Sequence, residues 1–286
     1  MFDFRYHALS LVAVFLALGI GIVLGVTIGD SVVSDANKGL RSSLRGDVVA
    51  ARKAAKDAQA NVSERDRWID SAVPYLMDGR LLGERIAVVS TGSLEGDIKK
   101  DVDSAVKEAG GSVDSTVDLT LPAQAQDLAS AMGVALPTDT DAKGLTLLGR
   151  RIGRAIVRGR GLQRLDKALP DRVNGDFSGS DAVVLYRSPP ADDATDAEKN
   201  ARQAFENGLV QGLKRQNVPI VGVEATSTEP SQIGFFNDRD LSSVDDLDTP
   251  GGRAALVLAL SGQKGAFGVK GTADAPLPKL QSGGGG

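Results

Sequence analysis

Ile86-Ala87-Val88-Val89-Ser90, then Thr91-Gly92-Ser93, then Ile98, Val102, Ala105, Val106 and Ala109 form the stretch that decides the fold. An uncharged run led by β-branched residues reads as a strand buried on both faces, because a half-exposed strand would alternate polar with apolar. The steps of three and four from Ile98 to Ala109 align those side chains on one face of a helix over 95–109, which Gly110-Gly111 ends. Residues 113–119 read as a second strand. Strand, crossover helix and strand make a unit whose two strands run parallel.

The alternation continues towards the C-terminus. Helices are expected over 123–132, 142–168 and 194–216, strands over 182–186 and 219–223, an extended stretch over 241–247 and a last helix over 251–262. The fold class is therefore α/β: a Rossmann-like, mostly parallel sheet with helices on both faces, occupying residues 79–270. Residues 271–286, ending in four glycines, read as a disordered tail.

Upstream the pattern is different. Residues 8–29 carry no charged side chain, and at about 1.5 Å per residue they span about 33 Å as a helix, enough for a hydrocarbon core of about 30 Å. A cleavable signal peptide would have a shorter apolar run and a small-residue cleavage site, and Thr27-Ile28-Gly29-Asp30 is a poor one. A retained anchor over 1–30 is the expectation. Within it Ala13, Ala17, Gly21, Gly25 and Gly29 recur every four residues, a ribbon that lets two helices approach closely in lipid. Arg5 favours a cytoplasmic N-terminus, but Lys38, Arg41 and Arg45 on the other side blunt the charge argument.

Residues 31–78 read as a helical stalk. Leu40, Leu44, Val48, Ala51, Ala55, Ala58 and Val62 lie three or four apart in a segment otherwise rich in Lys, Arg, Asp and Gln. A stripe this narrow suits a coiled coil, and its average step near 3.67 suits a nearly straight or slightly right-handed pair. The other reading is one amphipathic helix folded back on the domain. Asn37 and Asp66 interrupt the stripe, and Pro74, Gly79 and Gly83 end it. A parallel homodimer or a higher homo-oligomer follows from the two stripes together.

Composition narrows the chemistry. Net charge −4 and a pI near 5.2 give no general attraction to nucleic acid. The chain has no cysteine, one histidine (His7) and three methionines (Met1, Met77, Met132), so thiolate sites, disulfides and a Ser/His/Asp triad in the domain are ruled out, and soft metal sites within one chain are poorly supplied. No enzyme activity and no cofactor is expected. The loop 90–96 lacks the glycine spacing of a nucleotide fingerprint and places Glu95 where an anion would sit, so Gly92 reads as a turn residue. Asp245, Asp246 and Asp248 could hold a hard cation, but just before a helix starting near Pro250 they read first as capping and loop residues. Arg150, Arg151, Arg154, Arg158, Arg160 and Arg164 could dock an acidic partner or lipid headgroups; a solvated face is the simpler account.

Two stretches resemble the MctB family of copper transport proteins. The opening from Phe4-Arg5-Tyr6-His7 through the apolar run to Gly25 is similar to that family's N-terminus, and so is Ser243-Val244-Asp245-Asp246-Leu247-Asp248-Thr249-Pro250-Gly251-Gly252-Arg253 before its apolar helix. With the stalk and domain between them, the likeness covers nearly the whole chain. It implies a single-pass protein of the cell envelope with its domain outside the cytoplasmic membrane, and a role in copper homeostasis or efflux. Some members are instead tied to envelope assembly and cell separation, as partners of a cytoplasmic protein and of wall hydrolases. The resemblance carries no catalytic motif.

Overall fold

The computed structural model describes residues 4–279 except Phe177, and the side chains of residues 4–6, 27–42 and 66 lie outside that description. The chain divides into two compact units, Met1–Arg67 and Trp68–Gly286.

The first unit is helix. α1 runs Phe4–Met77, with Pro74 inside it, so the helix continues past the proline that was expected to end it. It stops where Asp78 N–H closes onto Pro74 O at 2.9 Å and Gly79 turns left-handed. His7–Val26 is a 20-residue window long and apolar enough to cross a membrane, and all of it is exposed within the chain. Ala13, Ala17, Gly21 and Gly25 are exposed, and a Cβ added at Gly21 or Gly25 would meet nothing within 4 Å. Leu44, Val48, Ala51, Ala55, Ala58 and Val62 are exposed as well. Gly29 and Leu40, the remaining members of the two stripes, fall outside the described side chains.

The second unit is a mixed α/β domain. Its elements after the last turns of α1 are β1 (Arg85–Thr91), α2 (Gly96–Glu108), β2 (Ser112–Leu119), α3 (Ala125–Met132), α4 (Ala142–Arg158), α5 (Leu162–Ala168), β3 (Val173–Gly175) and β4 (Ala182–Arg187). They continue with α6 (Asp196–Lys214), β5 (Ile220–Val223), α7 (Ile233–Asn237), β6 (Ser242–Val244), α8 (Pro250–Leu260) and β7 (Ala266–Phe267). The seven strands form one sheet in the order β3-β2-β1-β4-β5-β6-β7, parallel throughout except for antiparallel β3. The order reverses between β1 and β4.

Strand alternation feeds two cores. Ala87, Val89, Val183 and Leu185 point to one face, under α3, α4, α5 and α6. Ile86, Val88, Ala182, Val184 and Tyr186 point to the other, where α2, α8 and the end of α1, through Val73 and Met77, cover them. This two-sided burial is why β1 and β4 contain no charge between their ends.

α4 and α6 pack at backbone contact. A Cβ on Gly149 would lie 2.2 Å from Phe205 O, and one on Gly208 would lie 2.1 Å from Thr146 O. Gly153 and Gly212 meet the partner backbone as closely. Four glycines at a four-residue pitch on two helices therefore set the spacing of this layer, by the logic that operates between helices in lipid.

Several expectations are corrected. The helix foreseen over 142–168 is two, because Gly159 and Gly161 adopt φ +70° and +100° and break it. The extended stretch 241–247 is a strand only over Ser242–Val244. The foreseen tail is part of the domain as far as Lys279: Ala275 bridges Phe267, Asp274 N–H donates to Ala266 O at 2.8 Å, and Pro278 is buried. The rest of the tail, 280–286, lies outside the described residues. β3, α7 and β7 were not foreseen; all three are five residues or shorter.

Candidate functional site at the carboxyl ends of the strands

In a parallel sheet whose order reverses, ligands enter at the carboxyl ends of the strands beside the reversal. Here that position falls at Thr91, Arg187 and the loops that follow them. It is filled by the chain itself.

Glu206 on α6 is 1% exposed. Its Oε1 accepts Thr91 Oγ1 at 2.8 Å and Arg202 Nε at 2.8 Å, and both its oxygens accept Arg187 Nε, at 3.1 and 3.0 Å. Arg202 also donates to Thr91 O at 2.7 Å and Ser188 O at 2.6 Å, tying the loop after β1 to the loop after β4. Gly92 has φ +101°, and a Cβ there would lie 1.9 Å from Ser188 Oγ, so the two loops touch. Arg187 reaches on to Gln232 and lies 4.7 Å from the Phe235 ring centre, with Arg239 at 3.7 Å from the same ring. Beside them Tyr186, fully buried, donates to Glu95 Oε1 at 2.7 Å, and burial followed by that bond pushes the phenol pKa up. Glu95 thus stands at the mouth of α2, where a phosphate would need to bind.

A second buried carboxylate repeats the arrangement. Glu224, at the end of β5 and fully buried, accepts Lys270 Nζ at 2.6 Å, Ser231 Oγ at 2.8 Å and Gln232 N–H at 2.5 Å. The Lys270 ammonium spends its other protons on Ala225 O and Thr228 O, both at 3.1 Å. The C-terminal segment is thereby strapped across the ends of β5 and β6.

The acidic motif before α8 is a set of ties to neighbouring loops. Asp245 accepts Val269 N–H at 2.8 Å and Lys270 N–H at 3.2 Å, and Asp248 accepts Thr226 N–H at 2.6 Å and its hydroxyl at 2.9 Å. Thr249, the N-cap, accepts Gly252 N–H at 2.9 Å and donates to Asp246 at 3.0 Å, and Pro250 opens the helix. Asp246 is buried with Oδ1 unpartnered; burial, then its neighbours Asp245 and Asp248, push its pKa up to about 6. The three aspartates are therefore loop ties, and the cap itself is Thr249.

Metal ligands are scarce. Among the described residues no three or more His, Asp or Glu side chains are grouped to hold an ion. Met77 is fully buried in the core under α2 and α8, Met132 is half-buried against the core on the other face, and His7 lies exposed near the start of α1. Of the basic run, Arg151 caps the end of α3 through Met132 O and Gly133 O at 2.9 and 2.8 Å, and Arg158 donates to Gln216 Oε1 at 2.8 Å. A cleft of about 770 Å³ opens at the opposite end of the sheet, beside Ile220, Ser242 and Ala266.

Sequence reasoning missed Glu206, Arg187, Arg202, Glu224 and Lys270. A signal existed for the first: Glu206 falls among Ala201, Phe205, Leu209 and Leu213 on the apolar stripe of α6, with Arg202 one turn before it.

The family model described as copper transport outer membrane protein, MctB, matches residues 1–278, which takes in the span, the long helix and the domain with its strap. The chain belongs to the MctB family. Its relatives include the copper transporter MctB of Mycobacterium bovis and the same protein of two strains of Mycobacterium tuberculosis. Each is 22% identical over 295 residues, covering 91% of this chain and 92% of the relative. Both stretches that resemble the family lie inside the matched range. The domain is an open sheet covered by helices on both faces, and among the described residues His7–Val26 is the one helix long and apolar enough to cross a membrane.

Proposed function

We propose that this MctB family member is a single-pass protein of the cell membrane that serves copper homeostasis or efflux without catalysis, its domain held outside the cytoplasm. The observation that carries the reading is the family match over 1–278, joined to relatives named as copper transporters across nine-tenths of the chain. A role in moving copper does not require the domain to coordinate it: the domain's methionines are packed in the core, and thiols are absent. One helix cannot line a pore, so passage of an ion would need several copies or another protein.

A second reading has its own support. The Rossmann-like crevice is closed by the domain's own ion pairs, and the stalk stripe from Leu44 to Val62 is exposed in a single chain. Both suit a parallel coiled-coil dimer that displays its domain to other proteins and couples a cytoplasmic factor to cell-wall hydrolysis or separation.

Deleting the gene and scoring growth on graded copper together with cell separation tests the choice. The copper reading expects a several-fold lower tolerated copper concentration, restored by the intact gene. Unchanged tolerance with cells left in chains would overturn it in favour of the adaptor.

A further inference from the structure

α4 and α6 lie side by side in the same direction. Thr146 touches Gly208, Arg150 touches Gly212, and Arg158 bonds Gln216, so the amino ends of both helices share one end of the layer and the carboxyl ends share the other. The two ends are oppositely charged. At the amino ends stand four exposed acids, Asp139, Asp192, Asp193 and Asp196, against two exposed lysines, Lys143 and Lys199. From residue 142 to 165 there are seven basic side chains and no acidic one, and Arg154, Arg158, Arg160 and Arg215 stand at the carboxyl ends. Helix dipoles favour these signs at these ends. They do not account for the absence of partners: among the described residues none of these four acids and four arginines has an oppositely charged group within 4 Å.

We propose that two copies of this chain pair through the α4/α6 face in an antiparallel two-fold contact, the acidic end of one lying on the basic end of the other. A face that is acidic at one end and basic at the other is its own complement under a two-fold axis, which makes the same contact twice. An anionic lipid surface or a uniformly acidic protein would be drawn to the arginines and repelled by Asp192, Asp193 and Asp196 on the same face. Each exposed ion pair contributes little, so the contact is weak in free solution and forms where copies are held close together. It is sensitive to salt. The inference does not depend on a copper role or on pairing of the stalks.

The chain has no cysteine, so introduced thiols report without interference. The full-length protein in membranes, carrying Asp193→Cys and Arg158→Cys together, is treated with a short bis-maleimide. Asp193 precedes the amino end of α6, a 19-residue helix about 28 Å long, and Arg158, the last residue of α4, bonds Gln216 just past the other end of α6, so a short linker joins them only between copies. The expected result is a covalent dimer that forms several-fold faster than with either substitution alone, and several-fold slower in 0.5 M salt. In the same background Arg154→Glu or Asp192→Lys slows the linkage, and the two together restore it. Linkage of the double variant no faster than that of the single ones overturns the proposal, as does failure of the charge exchange to restore it.

Discussion

Glu206 shows how burial turns an ordinary ion pair into a structural commitment. With the carboxylate 1% exposed and the Arg187 and Arg202 side chains 17% and 12% exposed, removing the one negative charge leaves two nearly buried cations facing each other. Glu206→Gln is expected to lower the stability of the chain by about 3 kcal/mol in denaturant titrations, against less than about 1 kcal/mol for Arg253→Ala, whose partner Asp101 is 3.6 Å away and part-exposed. Asp246 acts in the other direction. Folded, its carboxyl keeps a proton up to about pH 6, whereas the ordinary value is 3.8, so between those values the folded chain binds the extra proton. The contribution of Asp246 to stability therefore falls as pH rises from about 4 to about 6 and is level above that. Asp246→Asn should remove this slope and raise stability near pH 7 by about 2 kcal/mol, read by thermal or denaturant unfolding across pH.

At the scale of elements, glycine carries opposite meanings in different helices. Gly149 and Gly208 let the backbones of α4 and α6 touch, so Gly149→Ala or Gly208→Ala must push the helices apart and should cost about 2–3 kcal/mol. Gly46 in α1 has nothing within 4 Å of a Cβ, and Gly46→Ala should stabilise the helix by up to about 1 kcal/mol. Paired unfolding curves of these variants check both signs. Sequence alone made the long elements legible. An uncharged run marks the span, Ile86 to Ser90 marks the first strand, and threes and fours mark α2. It did not reveal the break at Gly159 and Gly161, because Leu162 and Leu165 continue the apolar spacing through it. Nor did it reveal β3 and β7, which are too short to show a period. Glu206 leaves a trace, an acid on the apolar stripe of α6 one turn after Arg202, but its further partner Arg187 and the Lys270 partner of Glu224 lie 19 and 46 residues away, and the fold alone brings them together. The acidic motif before α8 could be placed at a helix start near Pro250, but that Thr249 is the cap, and which loops Asp245 and Asp248 hold, could not be named.

For the whole molecule, anchor and domain belong to one functional reading. The span His7–Val26 predicts that the chain stays with membranes through alkaline carbonate extraction, and that a variant lacking those residues is released. Fractionation with detection of the chain in pellet and supernatant measures this. In the proposed function the domain is tethered, its crevice closed by its own ion pairs suits recognition and display, and the copper link acts at the level of the cell rather than of a ligand set in the domain. The most direct measurement is cell-associated copper, determined by elemental analysis in cells lacking the gene. The account predicts at least a twofold excess of copper in those cells, removed by the full chain and not by one lacking residues 7–26. Equal copper in all three strains would contradict it.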